Sequence, residues 1–304
     1  MVPQDSTTAP PGSWLTSQST PKGILKSMAY FSYEGHRLAY TIHGTGSRTT
    51  ILLPGLLLSQ KMQTRLAGDL ARHGNRVVTL DFLGHGDSDR PQEMGRYSMP
   101  EFARQTVALL DHLDLEQAVV GGTSLGANVT LEVAARAPER LRGMIIEMPV
   151  LDKAIPACAA AFTPLLLALT LGEPAMKLLA RGARAVPRQF VPFMAELVLD
   201  WVAQDPGPSG AVLQGILFGR TAPERAVRQR FEAPALVIGH PRDPLHPFSD
   251  ADMLAAELPA GRLIDANSII ELRVSPERLT GKIAAFIDEC WTQETVRAAA
   301  GASA

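Results

Sequence analysis

The first two dozen residues show no apolar periodicity; from Met28 the pattern changes to short apolar runs. Residues 30–33 and 37–42 predict two strands joined across the turn residues Glu34 and Gly35. Residues 50–53 are an apolar strand stopped by Pro54-Gly55. Leu66 and Leu70 lie on one face of a helix ending near Gly74, and residues 76–80 form the next strand. A helix starts near Ser98 and Pro100 and buries Phe102, Val107, Leu110 and Leu113. Strand 118–120, helix 125–137 and strand 143–146 follow. Strands that alternate with helices and are almost wholly apolar belong to a parallel sheet covered on both faces.

Residues 150–231 break the alternation and read as helices punctuated by Pro164, Pro174, Pro187 and Pro192. It then resumes with strand 235–238, helix 249–258, strand 262–264 and helix 279–291. The expected architecture is an α/β core, residues 28–149 and 232–292, with a helical cap at 150–231. Residues 1–27 read as a disordered leader too poor in apolar side chains to pack, and residues 293–304 as a frayed tail.

Composition narrows the function classes. The 304 residues are 46% hydrophobic, ample for a core. With 29 basic and 31 acidic residues the net charge of −2 provides no field for nucleic acid. Few aromatic residues argue against a base-stacking platform. Cys158 and Cys290 have neither a disulfide framework nor metal-ligand spacing. No secretory signal stands at the N-terminus, so the expected location is cytoplasmic. Residues 154–172 carry no charge and approach the ~20 residues a spanning helix needs. Pro156, Pro164 and a mid-chain position favour a buried or lid helix over a span, with contact of the cap with a membrane surface as the minority reading.

Gly121-Gly122-Thr123-Ser124-Leu125-Gly126 joins a predicted strand to a predicted helix and contains G-x-S-x-G. That spacing places a serine on a sharp turn where its neighbours, Gly122 and Gly126, must be small. The hydroxyl then stands above the carboxyl end of the sheet, and the Leu125 N–H at the helix N-terminus can face an oxyanion.

Here the chain resembles the α/β-hydrolase superfamily, over residues 28–291. Pro54-Gly55-Leu56 is similar to the family's oxyanion loop, which implies Leu56 N–H as a second donor. Asp81-Phe82-Leu83-Gly84-His85-Gly86-Asp87-Ser88 resembles its D-x-x-G-x-G-x-S loop, and the insertion falls where the family carries its cap. Asp243, in Gly239-His240-Pro241-Arg242-Asp243-Pro244-Leu245-His246, matches the triad acid. The resemblance implies a cofactor-free, metal-free serine enzyme.

One element departs from the family. The triad histidine should follow the last strand, but this chain offers Ala266-Asn267, and no histidine follows His246. Asn267 cannot accept the serine proton. Loss of a triad histidine costs about 10⁶-fold in turnover, about 8 kcal/mol of barrier. The candidate substitute bases are His246, three residues past Asp243, and His85 in the G-H-G loop. His240, at a strand end, is weighed beside them, and Glu147 as an alternative acid; each also reads as a packing or surface residue. His36, His43, His73 and His112 read as surface or packing residues. The expected function is hydrolysis of an ester or thioester of a small apolar molecule by Ser124 and Asp243, with a non-standard or missing base. The alternative is a pseudo-hydrolase that binds an apolar ligand or protein partner in the capped cleft.

Overall fold

The computed structural model describes residues 26–301, with side chains described as far as Thr292. Residues 1–25 and 302–304, where most of the expected leader and the end of the tail fall, lie outside the described residues.

Eight strands form one sheet: β1 (Lys26–Tyr33), β2 (His36–His43), β3 (Thr49–Leu53), β4 (Arg76–Leu80), β5 (Ala118–Thr123), β6 (Leu141–Glu147), β7 (Ala235–Gly239) and β8 (Gly261–Asp265). Their order is β1-β2-β4-β3-β5-β6-β7-β8. The β1–β2 and β2–β4 pairs are antiparallel, and all other pairs are parallel. The antiparallel start follows from the two-residue turn at Glu34-Gly35, which can only make a hairpin; both residues take positive φ.

The period-two alternation of the strands divides the core. Ile51, Leu53, Val78, Leu80, Val120 and Ile146 face one side, where they meet α2 (Met99–His112), α3 (Leu125–Arg136) and α9 (Phe248–Glu257). Their neighbours Leu52, Val77, Val119 and Ile145 face the other, against α1 (Thr64–Arg72) and α11 (Glu277–Gly301). A strand buried on both faces reads as a near-continuous apolar run, as residues 51–53 of β3, 118–120 of β5 and 143–146 of β6 do.

Between β6 and β7 the chain is helical: α4 (Ile155–Leu171), α5 (Glu173–Ala185), α6 (Phe193–Val202), α7 (Pro206–Leu217) and the single turn α8 (Arg225–Arg228). Several hydrogen-bonded groups tie these helices to the sheet domain. Asp250 of α9, fully buried, accepts from the N–H groups of Leu151, Lys153 and Ala154 at the entry to α4. Asn128 of α3 bonds Val150 and the Thr221 carbonyl. Gln204 accepts from Arg90 at 3.1 Å and donates to the Leu57 carbonyl.

Several boundaries differ from expectation; β1 begins at Lys26, inside the stretch 1–27 expected as a leader, where its residues pair with β2. β5 runs on through Gly121-Gly122-Thr123, because the glycines keep strand pairing with β3 and β6 despite their low propensity. Helix α11 continues past Trp291 to Gly301, nine residues beyond the expected core boundary at 292.

Candidate active site

Ser124 occupies the turn between β5 and α3 with φ 54° and ψ −108°, a backbone conformation that a non-glycine residue rarely adopts. Its N–H donates to the Glu147 carbonyl at 2.9 Å, which anchors the turn to β6. The flanking glycines are steric requirements. A Cβ on Gly122 would stand 2.3 Å from the Gly126 carbonyl carbon, and one on Gly126 would stand 2.6 Å from the Leu53 carbonyl oxygen.

The Ser124 Oγ lies 2.9 Å from His246 Nε2. His246 Nδ1 lies 2.8 Å from Asp243 Oδ2. The carboxylate can only accept, so Nδ1 carries the proton and Nε2 is left to accept from the serine hydroxyl. The other oxygen, Asp243 Oδ1, accepts from the N–H groups of Leu245 at 2.8 Å and His246 at 3.0 Å. Asp243 therefore orients the imidazole and also fixes the backbone that carries it. Burial works to raise the Asp243 pKa, but the His246 hydrogen bond, the two N–H donors and the imidazole charge hold it below its ordinary value.

Leu56, the expected second donor, lies in the loop that follows β3. The N–H groups of Leu56 and Leu125 have no protein acceptor among the described residues. Leu57 takes positive φ, 57°, which turns the chain after Leu56. Beside this loop is an apolar cavity walled by Leu57, Leu165, Leu169, Met176 and Trp201, with Gln204 and Ser209 as polar groups.

The remaining candidates are placed elsewhere. His85 is not a base for Ser124: it is fully buried, its Nδ1 donates to the Leu83 carbonyl at 2.9 Å, and its ring meets Phe82 and Phe102 edge-on. Burial pushes it down to about 4, and only the Leu83 bond opposes this. The loop it sits in is organised by Asp81, whose carboxylate accepts from Gln60 N–H, Gln60 Nε2 and Asp87 N–H. Burial lifts Asp81 to about 6 against those three hydrogen bonds. Asn267 is exposed, and its N–H bonds the Glu271 carboxylate. His43 is buried in β2, His112 meets Tyr40 and stacks on Phe31, and His73 bonds the Asp69 carbonyl.

His240 and Glu147 belong to a second buried cluster, so neither serves as base or acid to Ser124. His240 Nδ1 donates to the Ser268 carbonyl at 3.0 Å, and its Nε2 is 3.3 Å from Glu147 Oε1. Arg273 Nη1 donates to Glu147 Oε1 at 2.7 Å, while Arg273 Nη2 reaches Thr123 Oγ1. Gln63 Nε2 bonds Thr123 Oγ1 at 3.1 Å and the Leu53 carbonyl at 2.9 Å. Burial alone would raise Glu147, but the Arg273 charge, then His240 and Thr123, bring it down to about 2. Sequence reasoning missed Arg273, Thr123 and Gln63. They come from three separate elements, and no local spacing links them.

A family profile described as the α/β hydrolase fold matches residues 50–172. A hydrolase from Pseudomonas aeruginosa PA01 superposes with TM-score 0.69, covering 86% of this chain and 98% of that one at 23% identity. The chain has the α/β-hydrolase fold. Among other structures with this α/β-hydrolase fold, the enol-lactonase from Burkholderia xenovorans LB400 gives TM-score 0.70 at 21% identity over 86% of this chain and all of that one. At these identities the likeness is one of fold. Among curated sequences, a putative non-heme haloperoxidase from Mycobacterium phage D29 is 33% identical over 37% of this chain and 40% of its own length. The 2-hydroxymuconate semialdehyde hydrolase of Pseudomonas putida is 32% identical over 36% of this chain and 34% of its own. The chain thus spans less than half the length of the curated relatives it matches. The profile match, residues 50–172, includes the serine turn.

Proposed function

We propose that the protein is a serine hydrolase in which His246, supplied by the same loop as the triad acid, is the general base. The observation that carries this reading is the continuous chain Ser124 Oγ–His246 Nε2–His246 Nδ1–Asp243 Oδ2, with steps of 2.9 and 2.8 Å. In the reaction Ser124 Oγ attacks the acyl carbonyl carbon as its proton passes to His246 Nε2. The oxyanion forms against the Leu56 and Leu125 N–H groups. His246 then returns the proton to the leaving oxygen or sulfur, the acyl bond breaks, and an acyl group remains on Ser124. Water, deprotonated by the same imidazole, attacks the acyl carbon; the bond to Ser124 Oγ breaks, that oxygen takes the proton back from His246, and the acid leaves. Asp243 holds the imidazole in the required tautomer throughout.

The substrate class follows from the walls. The cavity beside Leu57 is apolar except for Gln204 and Ser209, which suits an ester or thioester of a small apolar acyl or alkyl group. The helices between β6 and β7 supply most of its apolar walls and act as a cap. The semialdehyde hydrolase among the relatives supports the same general chemistry. The binding-only reading drew its main support from Asn267 and loses it once His246 is within reach of the serine.

The test is covalent labelling. A fluorophosphonate probe labels the wild-type protein in one residue, Ser124, and fails on Ser124→Ala. A folded wild-type protein that takes no label, or a Ser124→Ala variant that hydrolyses p-nitrophenyl butyrate as fast as wild type, would overturn the assignment.

A further inference from the structure

Helix α4 presents a contradiction. It is seventeen residues long, carries no charged side chain, and its only non-aliphatic polar groups are Thr163 and Thr170 beside Cys158. A helix apolar on every side belongs in a core or in lipid. Yet Leu169 is the single buried residue of α4. One side faces the cavity through Leu165 and Leu169; Leu167 and Leu171, one turn apart, stand 50% and 81% exposed.

The exposed apolar surface continues onto the next element. Helix α5 leaves α4 at Gly172 with a 99° bend. Its buried side is set by Ala180 and Ala183 with Met176, so at 100° per residue Leu178 points almost directly away from the protein. Leu178 and Leu179 are 68% and 57% exposed, and Phe190, just beyond the helix, is 81% exposed. Of the fifteen large apolar side chains that stand exposed among the described residues, seven fall in residues 155–190. A concentration of this kind marks a contact surface rather than ordinary scatter.

Charge selects the partner. Residues 155–190 contain Lys177, Arg181, Arg184 and Arg188 against one acidic residue, Glu173, a local balance of +3 in a chain whose net charge is −2. Lys177, Arg181 and Arg184 recur at helical spacing and form a stripe beside Leu178. Apolar residues flanked by a basic stripe are the pattern of a helix lying in the boundary of an anionic bilayer. No single helix among the described residues is long and apolar enough to cross a membrane, so the contact is one of lying on the surface.

We infer that the outer face of α4 and α5, with Phe190, docks the protein on an anionic lipid surface. Leu167, Leu171, Leu178 and Phe190 enter the acyl boundary, and Lys177, Arg181 and Arg184 meet the headgroups. The inner face of the same helices lines the cavity, so docking places the cavity walls next to the lipid phase. The inference does not depend on Ser124 being a nucleophile.

The experiment is sedimentation with phosphatidylcholine vesicles with and without phosphatidylglycerol, using full-length wild type, Ser124→Ala, Leu178→Glu, Phe190→Glu and Arg181→Glu. Wild type and Ser124→Ala bind the phosphatidylglycerol vesicles equally, and added salt weakens binding. Leu178→Glu and Phe190→Glu each lower the partition coefficient about tenfold or more, and Arg181→Glu lowers it several-fold. All variants keep the wild-type circular dichroism spectrum, because the altered side chains are exposed. Absence of sedimentation with either vesicle overturns the inference. So does equal binding to both vesicles, or a wild-type dimer in light scattering that Leu178→Glu dissociates while vesicles have no effect, which would make the face a self-contact.

Discussion

Replacing His246 by Gln tests the proposed mechanism at its least conventional point. Glutamine keeps a polar group near Ser124 Oγ, now 2.9 Å from Nε2, but cannot take the serine proton. A triad histidine is worth about 10⁶-fold in turnover, leaving about 10³–10⁴-fold over water from the remaining site. Six decades correspond to about 8 kcal/mol of barrier. The structure provides no second imidazole to soften the loss: His240 is engaged by Ser268 and Glu147, and His85 by Leu83 and two phenyl rings. His246 is nearly buried and lies on a loop, so the variant is checked by thermal unfolding before kinetics. The assay is kcat/KM for p-nitrophenyl butyrate, together with the fluorophosphonate labelling rate. His246→Gln loses five decades or more in both, while His240→Gln and His85→Gln retain labelling. A His246→Gln protein within tenfold of wild type would refute the assignment of the base.

Three further outcomes follow from the packing. Gly126→Ala forces a methyl group to 2.6 Å from the Leu53 carbonyl oxygen and 2.8 Å from that of Pro54, so fluorophosphonate labelling is abolished or the protein is insoluble; normal labelling would contradict the steric account. Arg273→Met leaves the Glu147 carboxylate buried without its cation and lowers stability by about 3–5 kcal/mol in urea unfolding, whereas the double variant Arg273→Met, Glu147→Leu recovers much of it; equal losses would show that the pair itself does not matter. His85 is held down to about 4 when folded and returns to an ordinary value near 6.5 when unfolded. The unfolded chain therefore binds the extra proton, and His85 makes stability fall as pH drops from about 6.5 to 4, by about 3 kcal/mol at the end of that range. His85→Gln flattens that limb in unfolding curves taken from pH 7 to 4. Asp81, raised to about 6, acts in the opposite direction in part of the same window and is common to both proteins, so it cancels in the comparison.

The serine turn was legible because its cause is local. A strand, two small residues flanking a serine and a helix start are all within ten residues, and the steric need for Gly122 and Gly126 is met by atoms of the same turn and its neighbouring strand. The acid was legible for the same reason, as a loop residue after an apolar strand. The base was only partly legible. His246 follows Asp243 at a spacing of three, visible in the sequence, but the 122-position separation of Ser124 and His246 is closed only by the packing of β5, β6 and β7 side by side. A histidine is expected after β8; the structure instead sets His246, on the loop after β7, beside Ser124. The vacated loop after β8 sends Arg273 under the serine turn instead, where it neutralises Glu147 beside Thr123. That cluster could not be read in advance, since Gln63, Thr123, Glu147, His240 and Arg273 have no common period and meet only because five elements converge at one edge of the sheet.

Hydrophobic periodicity alone determined the alternation of strands and helices, the interruption between β6 and β7, and the place of the serine at a strand end, because burial on one or two faces imposes a period of 3.6 or a continuous apolar run on the chain itself. The tertiary structure decided which imidazole meets Ser124, that Glu147 is held as a carboxylate by Arg273, and that the uncharged helix α4 keeps an apolar face turned outward. Those outcomes depend on distances between residues far apart in sequence. Such distances are fixed by sheet order and loop path, which leave no periodic trace along the chain.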